Sequence, residues 1–191
     1  MGKLIFITGG VRSGKSGYAA ELAKRMGKEV IFLATGSAED EEMRERIRLH
    51  KKARPSHWKT IEEKKDLIFV LSNISSPQKV IIIDCLGFLV SNLLLDGQEE
   101  ESIIGQVRKI ANLILEGSHI AIVISNEVGW GVVPTSKLGR KFRDILGRAN
   151  QIMAKYAQEV YLMVSGIPVK LKSEGESYGN SKEDARGDQA C

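Results

Sequence analysis

The chain has 191 residues, 42% hydrophobic and 27% charged, with a formal net charge of +4. That is ordinary for a soluble globular protein and leaves room for one well-buried domain rather than two. The mild basic bias suits an anionic ligand without demanding nucleic acid. The two cysteines, Cys85 and Cys191, form no C-x-x-C pair, so neither a disulfide framework nor a cysteine metal site is expected, and a reducing, cytoplasmic setting fits best.

In chain order, short apolar runs alternate with longer amphipathic ones. KLIFIT (3–8) reads as a buried strand, followed by a glycine-rich turn and a helical pattern over 15–26. EVIFLAT (29–35) is a second strand and precedes a helical pattern over 40–53. KVIIID (79–84) leads into helical patterns over 86–95 and 100–116. HIAIVIS (119–125) and EVYLMVS (159–165) are strands on either side of a helix over 136–158, and PVKLK (168–172) reads as a short edge strand. The strand runs are continuous rather than alternating, as expected where both faces of a parallel sheet are covered. The alternation predicts a three-layer α/β domain with right-handed crossovers over 1–172.

Residues 173–191 contain no Leu, Ile, Val, Phe or Met, and carry five acidic and two basic groups. Such a tail cannot bury enough to offset its ordering entropy, and is predicted to be disordered. The run LIFIT is too short for the core of a secretory signal. No run approaches the ~18 apolar residues of a membrane span.

The stretch Gly9, Gly10, Val11, Arg12, Ser13, Gly14, Lys15, Ser16 matches G-x-x-x-x-G-K-[S/T]. Glycines let successive backbone N–H groups curl around a phosphate chain. The lysine supplies a point charge, the serine hydroxyl can ligate Mg²⁺, and the following helix aims its N-terminus at the same anion. A chance match is the alternative, disfavoured by the placement between a strand and a helix. Asp84 ends the run VIIID. It could simply cap the next helix, but with a P-loop upstream the preferred role is an acidic partner near Mg²⁺ or the nucleotide. Asn126 and Glu127 end another strand, which places them at the carboxyl edge of the sheet beside the ligand crevice.

DEEMRERIRLHKKAR (40–54) spaces Arg46, His50 and Arg54 four apart, on one helical stripe. Flanking arginines disfavour the charged form of the histidine, which keeps a neutral, nucleophilic imidazole near pH 7. A solvated basic face is the plainer reading, and residue chemistry alone favours it. His57 beside Trp58 and His119 at a strand start read as structural. On these grounds the chain is a P-loop NTPase or kinase. A nucleic-acid-binding ATPase fits less well, because only 6% of residues are aromatic and the cations are interspersed with acids.

Taken together, TGGVRSGKS, LATG, DEEMRERIRLHKKARPSHWKTIE, IIIDCL, SNEVGWGVVP, RKFRDILGRANQ and VSGIPVKLK resemble the adenosylcobinamide kinase / adenosylcobinamide-phosphate guanylyltransferase family of cobalamin biosynthesis, in order from Lys3 to Lys172. The resemblance implies a P-loop fold with a mostly parallel, RecA-like sheet, and a bifunctional enzyme. Adenosylcobinamide would be phosphorylated by ATP or GTP, and adenosylcobinamide phosphate would then receive GMP from GTP through a guanylylated histidine. By motif position that histidine is His50, since Leu49 precedes it. The implied nucleotide contacts are the P-loop residues 9–16 with Lys15 catalytic, then Ala34, Thr35, Gly36, Lys51, Lys52, Ala53, Arg54, Glu62 and Asp84. Ser16 and Asp84 would hold Mg²⁺, and Glu62 would accept from the guanine edge unless it is only an exposed strand-end residue. Glu127 is the candidate general base of the kinase step, and the basic segment Trp130 to Arg148 a candidate surface for the corrinoid. A homo-oligomer is implied, with a trimer as one candidate form. A monofunctional P-loop small-molecule kinase is the alternative.

Overall fold

The structure, a computed structural model, describes residues 1–36, 41–52, 54–75 and 78–175, without the side chains of residues 42, 43, 46, 47 and 50. Seven strands form one sheet: β1 (Lys3–Gly9), β2 (Val30–Ala34), β3 (Lys59–Glu62), β4 (Val80–Asp84), β5 (Ile120–Ile124), β6 (Glu159–Val164) and β7 (Ile167–Lys172). Their order is β3-β2-β4-β5-β1-β6-β7. Every neighbouring pair is parallel except β6 and β7, which are antiparallel. The helices are α1 (Lys15–Arg25), α2 (Glu41–Lys52), α3 (Leu67–Ser72), α4 (Leu86–Leu95), α5 (Glu100–Glu116) and α6 (Lys137–Tyr156).

Alternate residues of each central strand serve different core layers, because successive side chains point to opposite faces. Leu4, Phe6, Ile31, Leu33, Ile81, Ile83, Ala121 and Val123 pack against α3 to α6, through Leu67, Leu89, Val107 and Ile145 among others. Ile5, Ile7, Phe32, Ile82, Ile122 and Ile124 face the other way, onto Ala19 and Ala23 of α1. Both layers are therefore dry, and each large core side chain contributes ~1.5–3 kcal/mol of burial. This is the three-layer, mostly parallel P-loop fold expected, with β5 inserted between β1 and β4.

Two elements differ from the sequence expectation. α3 was not anticipated, and β3 only through the alternative reading of Glu62 as a strand-end residue. KTIE is mostly exposed at the sheet edge, so it carries no apolar run to mark it. LIFVLS is a short helix of six residues, an apolar run that by composition alone could equally be a strand. Its start is fixed by Asp66, whose side chain accepts a hydrogen bond from the Phe69 amide at 3.0 Å. The helix over 40–53 stops at Lys52, which takes Arg54 off the helical stripe. Beyond Lys172 the description runs to Gly175, with Glu174 paired to Lys3 at 2.9 Å. Most of the polar tail expected to be disordered, residues 176–191, lies outside the described residues.

Candidate nucleotide site

The phosphate loop joins β1 to α1 across the carboxyl edge of the sheet. Gly9 has φ 146° and Gly14 φ 94°, values that L side chains rarely adopt. A Cβ at Gly9 would also lie 2.5 Å from the Met163 carbonyl oxygen, so both conformation and space require glycine there. The loop is tied down on both flanks: the Glu127 amide donates to the Gly9 carbonyl at 3.0 Å, and the Gly166 amide to the Ser13 carbonyl at 3.0 Å. Gly10, Val11 and Arg12 form its exposed tip, with Arg12 at φ 54°, while Ser13 is buried.

Lys15 is buried, and its ammonium folds over the loop to donate to the carbonyls of Gly9, at 2.9 Å, and Gly10. Next to it, the Ser16 hydroxyl donates to Asp84 Oδ2 at 2.8 Å across 68 residues of sequence. The structure therefore brings together the two residues expected near Mg²⁺. Among the described residues no cluster of three His, Cys, Asp or Glu groups could hold a metal. Mg²⁺ needs no such cluster, since it binds through one or two carboxylates with phosphate and water oxygens completing the octahedron. The paired hard oxygens of Ser16 and Asp84 fit it.

At the end of β2, Ala34 and Gly36 are half-buried and Thr35 is fully buried. The Thr35 hydroxyl donates to the Cys85 carbonyl at 2.7 Å and accepts from the Cys85 amide at 2.7 Å. Its own carbonyl accepts from Asn92 Nδ2 at 2.9 Å, and the same amide group reaches the Lys64 carbonyl at 3.0 Å. Thr35 thus shapes the site by fixing the chain just past Asp84. Burial pushes the Cys85 thiol up to about 12, so it remains an inert packing group.

A third part lies along α2 and β3. His50 is in the last turn of α2, with its side chain outside the described residues, as is Ala53 entirely. Lys51 forms an ion pair with Glu62, while Lys52 is exposed. Arg54 places its guanidinium carbon 3.6 Å over the Phe32 ring. Burial lowers its pKa, opposed by the carboxylates of Asp84 and Glu62. Its Nη1 is buried without a hydrogen-bond partner among the described residues, an unused donor facing this part of the site. Lys51, Arg54 and Glu62 line a cleft of about 400 Å³ with Pro55, Ser56, Trp58 and Thr60.

Several supports were missed from sequence. Asn92 is buried in the otherwise apolar LGFLVSNLLL, and a lone amide in such a run marks a group that must find partners. Ser125 donates to Asn150 Oδ1 at 2.6 Å, and Asn150 Nδ2 donates to the Asn126 carbonyl at 3.1 Å, which fixes the strand end before Glu127. His119 accepts from the Lys79 amide and lies 3.2 Å from the Ile74 carbonyl, the structural role expected of it. His57 is exposed beside the buried Trp58.

A family model described as cobinamide kinase / cobinamide phosphate guanyltransferase matches residues 5–171. The bifunctional adenosylcobalamin biosynthesis protein CobU of Escherichia coli (strain K12) is 38% identical over 181 residues, covering 88% of this chain and 99% of that protein. The protein of the same name from Salmonella typhimurium is 38% identical with the same coverage. The corresponding CobP of Pseudomonas aeruginosa is 37% identical over 168 residues, covering 88% of this chain and 96% of its own. A solved structure from Pyrococcus horikoshii OT3 aligns with a TM-score of 0.55 at 10% identity, over 90% of this chain and 86% of that one, a likeness of fold alone.

Proposed function

Because the chain belongs to the cobinamide kinase / cobinamide phosphate guanyltransferase family, we propose that it carries out both reactions: phosphorylation of the aminopropanol hydroxyl of adenosylcobinamide, then transfer of GMP from GTP to the new phosphate. The observation that carries the proposal is the Ser16–Asp84 contact beside the buried Lys15, which gathers phosphate-binding groups from β1, α1 and β4 at one sheet edge.

The guanylyl transfer is assigned to His50 as nucleophile. A neutral imidazole nitrogen attacks the α-phosphorus of GTP, the bond to the bridging oxygen breaks, and pyrophosphate leaves into the loop of Lys15 and its backbone amides. A phosphate oxygen of adenosylcobinamide phosphate then attacks the same phosphorus. The P–N bond breaks, returning the electron pair to the imidazole and giving adenosylcobinamide-GDP. Glu62 offers its carboxylate to the guanine N1–H and N2–H₂ edge, which adenine lacks, and Arg54 offers its unpaired Nη1 to phosphate.

In the kinase step the same loop orients the γ-phosphate of ATP or GTP. Glu127, anchored by its amide to Gly9, accepts the proton of the corrinoid hydroxyl. Mg²⁺ would be held by Ser16 and Asp84 and would neutralise charge on the phosphate oxygens. The expected setting is the cytoplasm, as a homo-oligomer. No helix among the described residues is long and apolar enough to cross a membrane.

The test is incubation with Mg²⁺ and α-labelled GTP on wild type and His50→Ala. Protein-bound label that survives alkali, is lost in mild acid and is absent from the variant supports the guanylyl-histidine. Wild type that binds GTP but takes up no label would leave only a P-loop kinase, scored separately by transfer from γ-labelled nucleotide to cobinamide.

A further inference from the structure

The loop that follows β5 exposes apolar side chains beside the phosphate cradle. Trp130 is 76% exposed, Val132 95% and Val133 56%. Scattered single exposures need no explanation, but three exposed large apolar groups within four residues mark a candidate contact surface.

The loop is held at both ends. At its start the Glu127 carboxylate accepts from the Gly129 amide at 2.9 Å, while the Glu127 amide is bonded to Gly9. At its end the Arg140 guanidinium donates to the carbonyls of Pro134 at 3.0 Å and Thr135 at 2.7 Å. The Ser136 hydroxyl caps α6 by accepting from the Gly139 amide at 3.1 Å. Because three residues span at most about 11 Å of chain, the Trp130 Cα lies within that reach of the Cα of Glu127, a residue bonded to the loop between β1 and α1.

Within the segment Trp130 to Arg148 expected to meet the corrinoid, most of the cations already have partners. Lys141 pairs with Glu99, Arg143 with Asp144 and Arg148 with Glu100, and Arg140 serves the loop itself.

We propose that residues 130–133 form an apolar platform for the face of the corrin macrocycle, placing the substrate's aminopropanol arm toward the γ-phosphate and Glu127. This rests on the functional reading above. The substrate is a large ring whose faces carry methyl and methylene groups, and its short arm must reach the cradle. A flat indole with few rotatable bonds, on a loop anchored at both ends, offers apolar area with little ordering cost.

The experiment measures steady-state kinase kinetics with cobinamide as the varied substrate, on wild type, Trp130→Ala and Val132→Asn, along with indole fluorescence during cobinamide titration. Both substitutions are at exposed positions, so thermal midpoints should stay near wild type. The expected result is a KM for cobinamide raised roughly tenfold in Trp130→Ala, the loss of about one large apolar contact, with kcat changed much less. Val132→Asn should shift in the same direction by a smaller factor, and saturating cobinamide should change the wild-type indole fluorescence by an amount that Trp130→Ala, which retains only Trp58, loses. Unchanged KM in both variants overturns the platform. So does unchanged KM with dissociation of an oligomer, which would make the loop a contact between copies of the chain. Wild type that labels with α-labelled GTP but shows no cobinamide-dependent turnover would instead overturn the corrinoid reading itself, and the platform with it.

Discussion

Thr35 and Cys85 exchange two hydrogen bonds, with the Thr35 hydroxyl donating to the Cys85 carbonyl and accepting from the Cys85 amide, each at 2.7 Å. One hydroxyl thus bonds both backbone polar groups of Cys85, immediately after Asp84, and the Cys85 carbonyl also accepts from the Leu89 amide at 3.2 Å. Thr35→Val would keep the shape and strand the Cys85 amide, while the Cys85 carbonyl keeps its bond from the Leu89 amide, for a loss of about 2 kcal/mol. Thr35→Ser keeps the hydroxyl and loses one methyl, ~0.8 kcal/mol. Denaturant midpoints of the three proteins, at constant m-value, would show that ordering, and equal losses for Val and Ser would refute it.

Ser16 and Asp84 should behave as one unit. Either Ser16→Ala or Asp84→Asn should slow both phosphoryl and guanylyl transfer, by on the order of a hundredfold, the cost of losing one preorganised electrostatic group. Since the two side chains touch, the double variant should be little worse than the worse single one. Turnover of all four proteins at saturating Mg²⁺ closes the cycle, and strictly multiplicative losses would show two independent roles.

Glu62 is held by its ion pair with Lys51 at the cleft rim. Glu62→Gln keeps one carbonyl acceptor but cannot receive both guanine donors, so KM for GTP should rise on the order of tenfold, the loss of one charge-assisted bond. Inosine triphosphate lacks the 2-amino group, so its disadvantage against GTP should shrink in the variant. A variant that discriminates as well as wild type would return Glu62 to an exposed strand-end residue.

Glu159 predicts a pH signature away from the site. Burial raises its carboxyl, but hydrogen bonds from Lys3, Tyr161 and Lys170 outweigh that and hold it at about 2, against an ordinary 4.5. A depressed folded pKa contributes stability that is fully present above 4.5 and is lost as pH falls toward 2. Glu159→Gln should therefore be less stable than wild type at neutral pH, with the difference narrowing between pH 5 and about 2. Parallel unfolding curves across that range would check it, and a constant gap would mean that the ion pairs contribute nothing.

Where burial is complete, the sequence was informative: β1, β2, β4 and β5 are continuous apolar runs because both faces are covered. The turn between β1 and α1 was legible because the fixed positions of its motif carry requirements, and Gly9 meets one that only glycine satisfies. β3 was visible only as the strand end offered for Glu62, because an exposed edge strand needs no apolar pattern. The bonds of Asn92 to Thr35 and Lys64 could not be read either, because pairing across distant residues depends on strand order. Arg54 was misplaced by helical spacing that continues two residues past the end of α2 at Lys52.

β1 lies inside the sheet, bonded to β5 on one side and β6 on the other, whereas β3 has a neighbour on one side only. In hydrogen exchange, amides of β1 must wait for the whole domain to open, while those of β3 escape through local opening. The lysine loop therefore hangs from the slowest-opening part of the molecule, and the Lys51–Glu62 rim from a faster one. The grip proposed for the phosphates would persist on a longer clock than the grip proposed for the base.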